Sequence, residues 1–168
     1  VRSILDPIDK MDGDSLPVST FVDHADGTFE LGASAYEKRG IAVSVPKWDA
    51  EKCVQCNQCA FVCPHATIRP FALTAEEAAA APAQTKMADI KVGKGKGEYK
   101  FAMAVSPLDC MGCGVCISQC GVHAIEMVPM ESQLAEQEVF DYMVEKVSEK
   151  KDMFVADNVK FSQFAQPY

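Results

Sequence analysis

No stretch of this chain approaches the roughly 18 apolar residues of a membrane helix, and its start shows no charged-then-apolar leader. Those absences argue against membrane spanning and secretion. A basic surplus is missing too: 16 Lys and Arg face 24 Asp and Glu, a formal net charge of −8. A general nucleic-acid binder would show the opposite balance. A phosphate loop is also lacking. Gly93-Lys94-Gly95-Lys96-Gly97 has suitable residue types, but no GxxxxGK[ST] run is present and no helical pattern follows, so it reads as a hairpin turn. Cysteine, finally, is absent outside two short stretches. Cys53, Cys56, Cys59 and Cys63, with Cys110, Cys113, Cys116 and Cys120, make up all eight. Disulfide frameworks spread their cysteines to staple distant loops. Thiols bunched at spacings of three and four residues are arranged to surround a metal centre.

What is present is ordinary by comparison. The 168 residues suit one domain with arms and a moderate core, at 48% hydrophobic and 24% charged content. The chain starts at Val1 and stops at Tyr168 in mid-pattern, which suggests a piece of something longer. Residues 1–42 are polar and turn-rich, with Asp12-Gly13, Asp26-Gly27 and Gly32, and read as an extended arm. Residues 41–48 read as a short strand with Pro46 near its end, leading into the first cysteine run. Between the runs lies an insertion, 74–105. Thr74-Ala75-Glu76-Glu77 is a capping-box pattern that predicts a helix over 75–81, stopped by Pro82, and 99–105 reads as a strand. Residues 124–129, AIEMVP, look strand-like. Over 133–151 a helical period places Phe140, Met143, Val144 and Val147 on one face.

Aligning 53–68 with 110–125, an offset of 57 residues, matches all four cysteines and pairs Ile68 with Ile125. Each half reads as cysteine loop, helical turn and short strand, so the two form a pseudo-twofold module. The spacing C-x2-C-x2-C-x3-C, with Pro64 after the first copy, is that of bacterial ferredoxins, whose fourth cysteine ligates the other cluster. Three cysteines at two-residue gaps let one loop wrap three corners of a cubane. The fourth, a helical turn further on, is displaced by roughly 6 Å along the axis toward the neighbouring site. Cys53, Cys56, Cys59 and Cys120 are therefore assigned to one [4Fe–4S] cluster, and Cys110, Cys113, Cys116 and Cys63 to a second. Structural zinc is the bland alternative, but a four-cysteine zinc site usually joins two separated pairs. Gly112 and Gly114 let the backbone approach the second cubane; Gln55 and Asn57 stand at the matching positions of the first loop, so the clusters should differ in potential.

The segments PVSTF (17–21), DGTFELGASAYEKRGIAVSVPKWD (26–49), KCVQCNQCAFVCPHATIRPF (52–71) and SPLDCMGCGVCISQC (106–120) closely resemble the ferredoxin-like domain of pyruvate:ferredoxin (flavodoxin) oxidoreductases, with its linkers. The ending VKFSQFAQPY (159–168) looks like the lead-in to that family's thiamine-diphosphate domain. The resemblance implies homodimeric enzymes that decarboxylate pyruvate oxidatively with coenzyme A. It further implies that single electrons pass from the thiamine intermediate through a third [4Fe–4S] cluster and then through two clusters like these to external ferredoxin or flavodoxin. Thiamine diphosphate, Mg²⁺ and the third cluster would lie in the rest of the parent enzyme. No GDG-type thiamine motif occurs here; Asp12-Gly13-Asp14 is a turn. One departure is Gly121, where the family's second run usually has proline, leaving the Cys120 corner without a stiff helix stop. Another 2-oxoacid oxidoreductase, or a pyruvate:NADP⁺ fusion, could carry the same module. A structural metal-binding interaction module is the reading from a different class.

The expected fold is α+β: a bacterial-type two-[4Fe–4S] ferredoxin fold with a pseudo-twofold repeat, an inserted helix and hairpin, and extended arms at both ends. Its parts are an N-terminal arm (1–40), a ferredoxin-like domain (41–130) and a C-terminal helix and linker (131–168). Trp48 and Phe61 are expected to shield the first cluster. Met111, Met127 and Met130 should fill gaps around the clusters, His65 and His123 should pack or hydrogen-bond rather than ligate, and His24 should sit in a surface loop. Five lysines over 86–100 read as a solvated turn or as a docking face for an acidic partner, and Arg39 could pair with a neighbouring domain. Two clusters of charge −2 each would move the formal charge from −8 to about −12, favouring low potentials in a reducing, oxygen-protected cytoplasm.

Overall fold

The computed structural model describes residues 2–33, 38–91 and 97–151, and the chain divides into two compact units, residues 1–40 and 41–168. The N-terminal unit is not the extended arm its turn-rich sequence suggests. Helix α1 (Arg2–Asp9) buries Ile4 and Leu5 on one side, and Met11 at φ +61° turns the chain out of it. Two 3-10 turns follow, Gly13–Ser15 and Val18–His24. Eight residues with one strongly apolar face are enough for two helical turns, although no longer period announces them. His24 does more than occupy a loop: its ring stacks on Phe29 at 4.3 Å, and Nδ1 lies 2.8 Å from the Thr28 carbonyl oxygen.

The second unit carries two antiparallel sheets. Strand β1 (Ser44–Trp48) pairs with β5 (Ile125–Pro129), Ser44 opposite Pro129 and Trp48 opposite Ile125. Strands β2 (Ile68–Leu73), β3 (Ala88–Asp89) and β4 (Lys100–Val105) form the other, in the order β2-β4-β3. Pro46, Pro70 and Pro129 all stand in strands with a single neighbour, where a missing N–H costs no ladder bond. Strands β2 and β4 are almost wholly apolar because both of their faces are covered. Ile68, Ala72, Phe101, Met103 and Val105 pack with Trp48, Cys59, Cys116 and Cys120, whereas Phe71, Leu73, Ala102 and Ala104 pack under helix α5 (Glu136–Lys146). Two single-turn helices, α2 (Gln58–Phe61) and α4 (Val115–Ser118), follow the cysteine loops.

Helix α3 (Ala75–Ala80) begins on a formed capping box: Glu77 N–H donates to Thr74 Oγ1 at 3.2 Å, and Thr74 N–H to Glu77 Oε2 at 2.8 Å. Helix α5 is shorter than the predicted 133–151. Its apolar stripe runs through Val139, Phe140 and Met143, continued by Val147 beyond its end, while Val144 points out at 46% exposure. The helix stops because Val147 turns extended and Glu77 Oε1 takes the Ser148 N–H (2.8 Å), the Ser148 hydroxyl (2.7 Å) and Lys150 Nζ (3.1 Å). The tail expected over 152–168, and the glycine–lysine turn at 92–96, lie outside the described residues.

Candidate metal centres

The two cysteine runs approach one another through α2 and α4, and their eight thiols divide between two cavities. The first is lined by Cys53, Cys56 and Cys59 of the first run together with Cys120 of the second, closed by Trp48, Val54, Met103, Val122 and Ile125. The other is lined by Cys110, Cys113, Cys116 and Cys63, with Pro46, Pro64, Thr67, Ile68, Met111 and Met127 around them. The non-atomic space is about 330 Å³ in the first and about 370 Å³ in the second, part of it open to solvent. Neither lining contains a carboxylate. All eight cysteines are free thiols. Among the described residues no three His, Cys, Asp or Glu side chains converge closely enough for a single metal ion, so each set of thiols surrounds a space rather than a point.

Backbone conformation explains how a loop of this length wraps such a space. The residues on either side of the second cysteine are left-handed in both runs: Gln55 (φ +57°) and Asn57 (+59°) in the first, Gly112 (+69°) and Gly114 (+74°) in the second. At Gly112 a side chain would also be crowded, because a Cβ would stand 3.1 Å from the Ser44 carbonyl oxygen and 3.4 Å from the Ala42 Cβ. Gly112 thus lies close against the chain at Ala42 and Ser44. The turns aim N–H groups at sulfur: Gln55 N to Cys53 Sγ at 3.3 Å, Gly112 N to Cys110 Sγ at 3.4 Å, Thr67 N to Cys63 Sγ at 3.4 Å and Ala124 N to Cys120 Sγ at 3.2 Å. Four thiols per cavity and amides turned to sulfur are the donor chemistry of an iron–sulfur cluster, and the residues fit that group.

Burial sets the state of the free thiols. It pushes Cys59 up to about 12 and Cys116 up to about 11, in each case with help from neighbouring thiols. Cys110 is raised by burial against the Gly112 N–H and the Thr67 hydroxyl. Cys63 is lowered: burial works to raise it, but the Thr67 hydroxyl and N–H together with the His65 and Ile68 N–H groups outweigh that. A metal must displace protons from these sites before the thiolates can bind it.

Non-glycine residues at positive φ are costly, and Gln55 is held there by a clamp that no local sequence signal announces. Its side chain, 3% exposed, donates from Nε2 to the Asp89 carbonyl at 2.7 Å and accepts the Lys91 N–H on Oε1 at 2.8 Å. Lys91 Nζ returns to the Cys53 carbonyl at 2.5 Å. The insertion thus ties down the first loop. Gln55→Gly keeps the left-handed backbone and removes only the clamp. It should speed amide exchange at Lys91 about tenfold, from a lost bond of about 1–1.5 kcal/mol, and leave Gly112 unaffected.

Other candidates are placed differently from expectation. Phe61 is 69% exposed and lines neither thiol cavity, whereas Trp48, 5% exposed, packs edge-on to Phe101 and closes the first one. Met111 is exposed at the mouth of the second cavity; Met127 lines it, and Met130 packs with Ala42, Val45 and Cys110. His65 borders the second cavity, while His123 faces an open groove beside Lys47, Lys52 and Glu126. Of the five lysines, Lys91 holds Cys53 and Lys100 is paired with Asp89, which leaves less of a docking face; Lys94 and Lys96 lie outside the described residues.

Fold and site together define a small α+β ferredoxin-like domain of the 4Fe-4S type. A family model described as a 4Fe-4S binding domain matches residues 45–68, and one described as a domain of unknown function, EKR, matches 1–42. Over 99% of its length the chain is similar to pyruvate-flavodoxin oxidoreductase of Enterobacter agglomerans (47% identity) and pyruvate:ferredoxin oxidoreductase of Moorella thermoacetica (46%). It spans 14% of the length of each. It is also 43% identical over 99% of its length to pyruvate dehydrogenase [NADP(+)] of Cryptosporidium parvum, covering 8% of that protein.

Proposed function

We propose that this segment is the electron-transfer domain of a pyruvate:ferredoxin or pyruvate:flavodoxin oxidoreductase. It would relay single electrons from a thiamine-bound pyruvate intermediate, formed elsewhere in the parent enzyme, to external ferredoxin or flavodoxin. The observation that carries this reading is the division of eight thiols into two cavities, each with three cysteines of one run and the fourth of the other. Cys53, Cys56, Cys59 and Cys120 would hold one [4Fe–4S] cluster, and Cys110, Cys113, Cys116 and Cys63 the second. When bound, such clusters store and pass on one electron each. The chain's own part is to supply thiolates, to direct the N–H groups of Gln55, Gly112, Thr67 and Ala124 at sulfur, and to keep water from the first cavity with Trp48, Met103 and Ile125.

The pseudo-twofold repeat belongs to the same proposal. It is supported by α2 and α4 starting 57 residues apart, as β2 and β5 do, and by paired left-handed residues at the same offset, including Ala66 and His123 at φ +51°. Thiamine diphosphate, Mg²⁺ and a third cluster would reside in the parent's other domains, and that parent would be a homodimer of a reducing cytoplasm. No helix among the described residues is long and apolar enough to cross a membrane. The similarity to an NADP⁺-dependent pyruvate dehydrogenase favours one second reading, the same module within a reductase fusion, which a flavin reductase domain downstream would identify.

Anaerobic EPR after dithionite reduction, with iron and sulfide counted on the same sample, tests the proposal. The segment should contribute about eight irons and eight sulfides, with the broadened spectrum of two interacting reduced clusters. Zinc without sulfide would make the loops structural and end the electron-transfer reading.

A further inference from the structure

Positions 67 and 124 stand at the same point of the two halves and differ in a hydroxyl. Each lies four residues past the last cysteine of its run and turns its backbone N–H to that sulfur, at 3.4 Å for Thr67 and 3.2 Å for Ala124. Each is buried, at 4% and 2% exposure. The backbone contribution to the two sites is thus matched, and the side chains distinguish them. Thr67 Oγ1 lies 3.4 Å from Cys63 Sγ, in the second cavity. Ala124 brings nothing comparable to the first.

A thiolate has no proton to give, so beside a ligating sulfur the threonine hydroxyl must be the donor. An electron added to a cluster places further negative charge on its sulfurs. A donor aimed at sulfur therefore stabilises the reduced form more than the oxidised one and raises the potential. We propose that Thr67 sets the potential of the second site: its hydroxyl donates to the Cys63 sulfur and makes the cluster there easier to reduce than alanine would. The step is the gain of one electron with no proton transferred, since the hydroxyl keeps its hydrogen throughout. The inference rests on the two-cluster reading. It gives the chain a built-in asymmetry that biases a shared electron toward the second cavity.

Redox titrations followed by EPR on the anaerobically purified full-length protein test it. Thr67→Val replaces the hydroxyl by a methyl group of nearly the same shape, and Thr67→Ser keeps the hydroxyl. In Thr67→Val one midpoint should move negative, with an about tenfold lower reduced-to-oxidised ratio at fixed poise, a shift of about 59 mV for a one-electron couple. The other midpoints should stay, and Thr67→Ser should restore the shifted one. Unchanged midpoints in a fully loaded Thr67→Val protein would overturn the proposal, and so would an equal shift in valine and serine variants. If Thr67→Val loses iron, Thr67→Ala and Thr67→Ser, which differ by the hydroxyl alone, should show the same displacement between them. Equal midpoints in that pair would likewise overturn it. Failure of the two-cluster reading is seen separately, as a wild-type protein without sulfide.

Discussion

Replacing Cys120 with alanine should abolish the cluster of the first cysteine run rather than that of the run in which Cys120 stands. The expected loss is about four irons and four sulfides, and the remaining EPR signal should match that of Cys59→Ala and differ from that of Cys116→Ala. Cys63→Ala should do the reverse and resemble Cys116→Ala. The prediction follows from the cavity linings, in which Cys120 faces Cys53, Cys56 and Cys59, and Cys63 faces Cys110, Cys113 and Cys116. If Cys120→Ala instead behaved like Cys116→Ala, each run would be serving its own cluster. Because ligation is coupled to folding, either substitution should also loosen the strand pairs that flank the emptied site.

Glu77→Ala should produce the largest effect away from the cysteines. Its carboxylate joins the start of α3 to the segment after α5, meeting Lys150 Nζ at 2.9 Å and taking the Ser148 N–H and hydroxyl. Lys150 has a side chain only 4% exposed, so removing its partner strands a buried charge that, among the described residues, keeps Ser148 oxygens and the Tyr99 ring. Breaking a buried pair costs about 3 kcal/mol or somewhat more, an about 100-fold rise in amide exchange where global opening does not dominate. Exchange over α5 and residues 147–151 reads it directly, and unchanged protection there would sink the prediction. Acid should act through the same group. Burial works to raise the Glu77 carboxyl, but the Ser148 and Thr74 N–H groups and Lys150 outweigh it and hold it at about 2, against an ordinary 4.5. A lowered folded value means that the stabilisation is complete above about 4.5 and fades as pH falls from there toward 2. Glu77→Gln should flatten this part of the acid response when compared with wild type at each pH.

The features legible in the sequence are those that depend on local chemistry. Thr74 and Glu77 announce a cap because both partners lie within one turn, and the apolar run from Phe101 to Val105 announces a strand, which the structure covers on both faces. The cysteine spacing carries the grouping of thiols because a single helical turn separates the third cysteine from the fourth. Long-range partnerships leave no such mark. Gln55 reads as an ordinary polar loop residue until the insertion supplies Asp89 and Lys91, and the end of α5 is set by Glu77, some 70 residues away. Val144 shares the helical period of the buried face yet points out, because period alone does not tell which edge of an apolar arc meets the sheet. Met11 ends α1 with a left-handed residue that no glycine flags.

The pairing of β1 with β5 carries a consequence for how the protein is made. Strand β1 is complete at Trp48, and its partner does not begin until Ile125, 77 residues later. At about 5–20 residues per second, a ribosome leaves that strand waiting roughly 4–15 s for its complement, with the first four thiols made early in that interval. For this interval the nascent chain exposes an open edge and reactive sulfur, and no half of it can close alone. If both cysteine runs are needed to build either cluster, a chain released before Pro129 should be a substrate for degradation rather than for cluster assembly.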